Sequence, residues 1–357
     1  MPRKRDKKEL MLEVLKILSV DGRASSNEIA RKLSIPKTTA YNLLNETIEK
    51  YGLKFVPEIN IEELWKYEFM KLGRRASKSS VMEKTLESMP SIGFEEYMIF
   101  IKFLNKVPGE EFIKNAIESS YIPQFVARLH GEYDLVIYAV TRNYSELDKF
   151  AIMLSEKLGK YNFTFTANKI IRTFGFFPLR QEIFEQLNIF DNYKKLLSDL
   201  NKNGRRPFSE IVAKKDKEQS QITYIFDRLH KSGILERISY YETKPANVVS
   251  GLVQMKITNS SKFLKRSSMW LREMVNNGRR SHTEYTFICD ILNPQGGFIF
   301  VNFKNSENID IFIEKLSKLF PSVEIKYIPL TKIILGNLGV RNFDMLYSKQ
   351  YQNLKNK

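Results

Sequence analysis

Lys37, Thr38, Thr39, Tyr41, Asn42 and Asn45 crowd into the stretch PKTTAYNLLNETIEKYG that begins at Pro36. At about 100° per residue, Ala40, Leu43, Leu44, Thr47 and Tyr51 share one helical face. Thr38, Asn42, Asn45 and Glu49 share the opposite face, flanked by Lys37, Thr39 and Tyr41. The apolar face belongs against other helices. Short hydroxyl and amide side chains near a helix start match the base edges and phosphate oxygens of a duplex major groove. The competing reading is a small helical bundle with an ordinary solvated polar face.

A second stretch, EQSQITYIFDRLHKSG, sets Ser220, Tyr224 and Asp227 outward, with Gln221 and Thr223 beside them. Asp227 repels phosphate, although a carboxylate also accepts from a cytosine amino group. The turn before it, KKDKEQ, has no apolar residue where the first copy has Leu33 and Ile35. The second copy is therefore expected to read less specifically, leaning on Arg205, Arg206, Lys214, Lys215 and Lys217 for phosphate, as the first leans on Arg23 and Lys37. Other chemistry is thinly represented. The 3 histidines, His130, His230 and His282, have no metal-ligand spacing, and the 1 cysteine, Cys289, excludes an intramolecular disulfide framework. Cys289 alternates as an inward strand residue, and NPQGGF is a hairpin turn rather than a phosphate loop. No metal, cofactor or catalytic group is expected.

The elements that must position these residues come in two series. Ser25 and Glu28 form a Ser-x-x-Glu capping box, and Gly22, Arg23, Glu28 and Ile29 recur in register as Gly204, Arg205, Glu210 and Ile211. Each series opens with three helices and an extended segment. Each continues as strand–helix–strand–strand–helix–strand, the split βαβ order, which buries one face of a four-stranded antiparallel sheet under two helices. The other face, rich in Phe and Ile, needs a partner, and two such sheets in one chain can supply each other. The expected division is a helical unit at 1–56, a bridge at 57–93, a sheet unit at 94–178, a second helical unit at 190–245, a second sheet unit at 250–340 and a tail at 341–357.

With 357 residues the chain is too long for one ordinary core. Its net charge of +16 is unevenly spread. Residues 1–56 hold 12 basic and 7 acidic side chains, 191–245 hold 12 and 8, and 246–357 hold 16 and 8, whereas 91–190 hold 11 and 12. The positive field thus sits on both helical units and the C-terminal sheet, where it favours a polyanion. No apolar run approaches the ~18 residues of a membrane helix. MPRKRDKKEL is charged with no apolar segment after it, so a cytoplasmic chain without membrane contact is expected.

VLKILSVDGRASSNEIARKLSIPKTTAYNLL resembles the opening of the Lrp/AsnC (leucine-responsive/asparagine regulator) family of transcription factors, with its Asp-Gly-Arg and Glu/Leu-Ala helix. LLSDLNKNGRRPFSEIVAKK and RLHKSGIL are similar, and ARLHGEYDLVIYAV resembles the family's Gly-x-Tyr-Asp hairpin. The resemblance covers nearly the whole chain as two fused members. It implies an α+β fold in which two winged helix-turn-helix domains alternate with two ferredoxin-like βαββαβ domains, paired as an internal pseudo-dimer or as a homodimer. It implies double-stranded DNA as partner, with an amino acid or other small effector as a further partner; a separate alternative, suited by the acid-bearing second helix, is a regulator that works mainly by holding a transcription-machinery protein. The effector would lie at His130, Gly131, Glu132, Tyr133 and Asp134; the alternative is that Gly131 makes the turn and Asp134 caps a strand, with no ligand. The second hairpin, NPQGG, lacks both the Tyr and the Asp, and the bridge exceeds the family's usual hinge. Paired proteins of this layout also act as sirohaem decarboxylases through histidine, arginine and tyrosine; His130, Arg128 and Tyr133 are the corresponding types here, in a region that is electrically neutral.

Overall fold

The computed structural model describes residues 6–61, 63–64, 66–67, 94–175, 177–187, 189–213, 219–243, 249–257, 284–291, 296–303, 306–321 and 323–338. The first series comprises α1 (Lys7–Val20), α2 (Ser26–Leu33), α3 (Lys37–Tyr51), β1 (Leu53–Ile59), β2 (Glu95–Phe103), α4 (Glu110–Ile117), β3 (Pro123–Leu129), β4 (Leu135–Thr141), α5 (Tyr144–Leu158) and β5 (Phe163–Gly175). After a short α6 (Ile183–Gln186) come α7 (Asp191–Lys202), α8 (Phe208–Ala213), α9 (Gln219–Lys231), β6 (Leu235–Glu242), β7 (Val249–Ile257), β8 (Glu284–Ile291), β9 (Gly296–Phe303), α10 (Glu307–Leu319) and β10 (Val323–Leu335).

Eight of the strands close into a barrel in the order β10-β3-β4-β2-β5-β8-β9-β7. Within it the runs β5-β2-β4-β3 and β10-β7-β9-β8 repeat one strand order. The expected pairing of two sheets takes the form of continuous hydrogen bonding rather than face-to-face stacking of separate units. The device is the length of β5 and β10. Phe163–Lys169 pair with β2, and from Ile170 onward the same strand pairs with β8. Val323–Pro329 pair with β7, and from Leu330 onward that strand pairs with β3. Closure leaves no unpaired edge among these strands.

Alternation of side chains then sorts the barrel residues into two faces. Ile99, Ile101 and Ile137 face outward to Ile113 of α4 and Phe150 and Leu154 of α5. Val253, Ile299 and Val301 pack on Phe312 and Leu316 of α10. Inside, Phe100 lies 4.8 Å from Phe298 by ring centroids. Phe177, just past β5, stacks on Tyr138 at 4.4 Å and meets Phe125 at 4.9 Å and Phe300 at 5.3 Å. This interior is continuous with the core of both helical units, which includes Leu18, Leu44, Leu197 and Leu229. β1 and β6 pair antiparallel as a separate two-stranded ribbon between those units.

The helix read at 261–277, most of the 293–297 turn, most of the 57–93 bridge and the 341–357 tail lie outside the described residues. None of the described helices is long and apolar enough to cross a membrane.

Candidate nucleic-acid interface

The capping box read from sequence forms as a local hydrogen-bonded unit. The Ser25 hydroxyl accepts from the Glu28 N–H at 3.3 Å while the Glu28 carboxylate accepts from the Ser25 N–H at 2.7 Å. The Ser25 hydroxyl also donates to the Glu28 carboxylate at 3.1 Å, and the bond from the Ser25 N–H together with this one stabilises the charged form and holds the carboxyl below its ordinary range. α2 ends at Ser34 in the left-handed region (φ 54°), and Pro36 caps the start of α3, which ends at Gly52 (φ 59°). Ala40, Leu43, Leu44 and Thr47 are buried, at the spacing of one helical stripe. The Thr47 hydroxyl donates to the Leu43 carbonyl at 2.7 Å, which makes its burial tolerable. On the other side Lys37, Thr38, Thr39, Tyr41, Asn42 and Asn45 are all exposed. The structure therefore brings all six onto one solvent-facing surface.

In the second unit Ile222, Ile225 and Leu229 are buried, and Ser220, Gln221, Thr223 and Tyr224 are exposed. Ser220, Gln221 and Tyr224 line an open groove of about 750 Å³, whose other wall is Phe190–Tyr193 at the start of α7. Tyr67, Phe190 and Tyr193 form an aromatic cluster with centroids 5.6–6.2 Å apart. Arg228 lies 5.9 Å from the Tyr224 ring. A hydrogen bond with Tyr193 raises the Arg228 pKa. The sequence reading missed this shelf; its signal was the aromatic spacing in NIFDNY just ahead of α7. Lys214, Lys215 and Lys217 lie outside the described residues.

Arg23 and Arg205 require a correction. Neither guanidinium faces outward as a phosphate ligand; each reaches into the other helical unit. Arg23 donates to the carbonyls of Gly204 at 2.6 Å and Arg206 at 3.1 Å, and its guanidinium lies 4.4 Å from the Phe208 ring. Arg205 donates to Gly22 at 2.5 Å and Ala24 at 3.0 Å, and lies 5.1 Å from the Phe55 ring. Burial lowers the pKa of both, and for Arg205 the charge of Arg23 adds to that effect. The adjoining glycines allow this approach: the N–H of Gly22 bonds the Ile238 carbonyl at 2.9 Å and that of Gly204 bonds Phe55 at 2.8 Å. A β-carbon on Gly22 would stand 2.6 Å from the Ile238 oxygen. Arg206 is partly buried and pairs with Glu210 at 3.5 Å. The repeated Gly-Arg is thus a reciprocal clasp between the units.

The hairpin between β3 and β4 has its own structural employment. Gly131 adopts φ 128°, a conformation that favours glycine. Asp134 accepts from the Phe103 N–H at 2.8 Å and pairs with Lys102 at 3.2 Å. Glu132 pairs with Lys326 of β10 at 2.6 Å, and that hydrogen bond lowers its pKa. The Tyr133 ring packs on Phe100 at 4.6 Å, and His130 is exposed, its N–H bonded to the Pro329 carbonyl. Arg128 donates to the Pro108 carbonyl. Cys289 falls in β8.

No model of a known protein family matches the chain, and no curated protein matches it. Among solved structures, it is similar to the siroheme decarboxylase NirDL at a TM-score of 0.57 and 12% identity, over 97% of this chain and 99% of that one. NirDL in co-complex with an iron-uroporphyrin III analogue aligns at 0.56 and 11%, over 98% and 99%. The leucine response regulatory protein LrpA of Mycobacterium tuberculosis aligns at 0.33 and 12%, over 46% of this chain and 93% of that one. Because the full-length neighbour is an enzyme, the fold gives no ground for the expectation that this chain is not one. The chain thus shares its fold with NirDL over nearly all of both chains.

Proposed function

We propose that the chain is a sequence-specific, double-stranded-DNA-binding transcriptional regulator, built as two winged helix-turn-helix units on two ferredoxin-like sheets. The observation that carries this reading is the α3 surface: six hydroxyl, amide, phenol and ammonium side chains exposed together, with the apolar stripe buried behind them. Asn42 and Asn45 are suited to adenine edges, Thr38, Thr39 and Tyr41 to bases or backbone, and Lys37 to a phosphate. Ser220, Gln221, Thr223 and Tyr224 are the second reading surface. The excess of basic residues on the helical units supports capture of a polyanion. The hairpin is accounted for by turn and cap chemistry, and no effector is assigned to it.

The test separates phosphate from base contacts. Lys37→Ala should weaken binding to all duplexes alike and lower the salt slope by about one. Asn42→Ala should cost roughly 1–3 kcal/mol at one base position and leave the slope unchanged. An Asn42→Ala protein that binds every duplex as the parent does would remove α3 from the reading role.

A second reading, tetrapyrrole decarboxylation, is favoured by the full-length likeness to NirDL. The engagement of Arg128 with the Pro108 carbonyl, the packing of Tyr133 on Phe100 and the phenyl rings filling the barrel weigh against it. Titration with iron-uroporphyrin, followed by its visible absorption, discriminates. A saturable shift at one equivalent would favour the enzyme, and an unchanged spectrum the regulator.

A further inference from the structure

The two reading helices align position by position, and the alignment divides by burial. Buried positions correspond as Ala40 with Ile222, Leu43 with Ile225 and Thr47 with Leu229. Exposed positions change chemistry, although Thr38 and Ser220 both keep a hydroxyl: Asn42 stands where the second helix has Tyr224, Asn45 where it has Asp227, and Glu46 where it has Arg228. The helices are also held as a pair. The reciprocal Arg23 and Arg205 clasp, the β1–β6 ribbon and the shared core join their units within one chain. Two copies of one reading surface related by an approximate two-fold axis would match a palindrome. Here the scaffold keeps that relation and the surfaces do not.

We propose that one chain reads a non-palindromic duplex in a single orientation, with an arm rich in A·T under α3 and an arm containing C·G under α9. The inference rests on the DNA-binding reading above and specifies its ligand. Amide side chains pair with adenine N6 and N7; a carboxylate accepts from cytosine N4, and a guanidinium donates to guanine O6 and N7. Asn42 and Asn45 on α3, and Asp227 and Arg228 on α9, are therefore the specificity-determining residues of the two arms. Asp227 also opposes phosphate, which makes the second arm dependent on its base contacts.

The experiment is selection of duplexes from a random library by the full-length protein at physiological salt. It is repeated with a symmetrised variant carrying Gln219→Lys, Ser220→Thr, Gln221→Thr, Thr223→Tyr, Tyr224→Asn, Asp227→Asn and Arg228→Glu, all at exposed positions. The parent should yield a motif with two unlike arms, and the variant a palindrome of the parent's α3 arm. A palindromic parent motif, or a parent motif that these substitutions leave unchanged, overturns the inference while leaving DNA binding in place. A parent that enriches no motif at all removes the DNA-binding reading, and this inference with it. Should the variant lose its helical circular dichroism, Asp227→Ala decides instead. It should reduce discrimination by about tenfold at one position of the α9 arm only, and unchanged discrimination there overturns the inference.

Discussion

Arg23 and Arg205 each bring a planar fork of donors to two backbone carbonyls across the junction of the helical units. Truncating either one strands partly buried carbonyls without a donor. Arg23→Ala is expected to lose about 1.5–3 kcal/mol of stability in urea unfolding, the range for hydrogen bonds to a charged group. Its salt slope on DNA should match that of the parent, whereas the slope of Lys37→Ala should not. A second residue-scale effect concerns Glu96, the second residue of β2, which accepts a hydrogen bond from the Tyr138 hydroxyl. Burial raises its pKa, and that outweighs the opposing effect of the hydrogen bond. The folded state therefore holds the proton more tightly than the unfolded chain. The resulting stability is present below the ordinary carboxylate pKa and is lost as pH rises through the raised value. Glu96→Gln should flatten the stability profile over that window, as melting temperatures measured across mildly acidic to neutral pH would show.

At the scale of elements, two close approaches carry the architecture. Gly22 lets the turn after α1 lie on β6, so Gly22→Ala forces a β-carbon against the Ile238 carbonyl and should cost about 1–3 kcal/mol. Phe177 plugs the barrel against Tyr138, Phe125 and Phe300. Phe177→Ala should cost about 3–5 kcal/mol in equilibrium unfolding, the usual range for an aromatic ring lost from a core. Much of this level was legible in the sequence. The 3.6-residue spacing of Ala40, Leu43, Leu44 and Thr47 gave the buried face of α3, and VEIKYIPLTKIIL gave β10 to the residue. The closed barrel was not legible. Which strand the second half of β5 pairs with is decided by contacts over a hundred residues away, and a run such as NKIIRTF alternates identically whichever neighbour it takes. The clasp was hidden for a related reason, since an arginine in a polar turn reads as a phosphate ligand until the opposing carbonyls are in place.

For the whole molecule, the fusion of two repeats sets the functional question. The charge of +16 supplies attraction to any polyanion, and the fold is one that also occurs in an enzyme. Neither property separates a sequence reader from a general binder of nucleic acid; the proposed reading role rests on the exposed α3 surface. The measurement that tests it most directly is fluorescence anisotropy of the full-length protein on a pool of duplex fragments, across a salt series, with excess competitor DNA. Retention of particular fragments at physiological salt, with affinity falling steeply as salt rises, is the predicted result. Equal binding of all fragments that disappears at physiological salt would contradict the account, because the α3 surface would then read nothing.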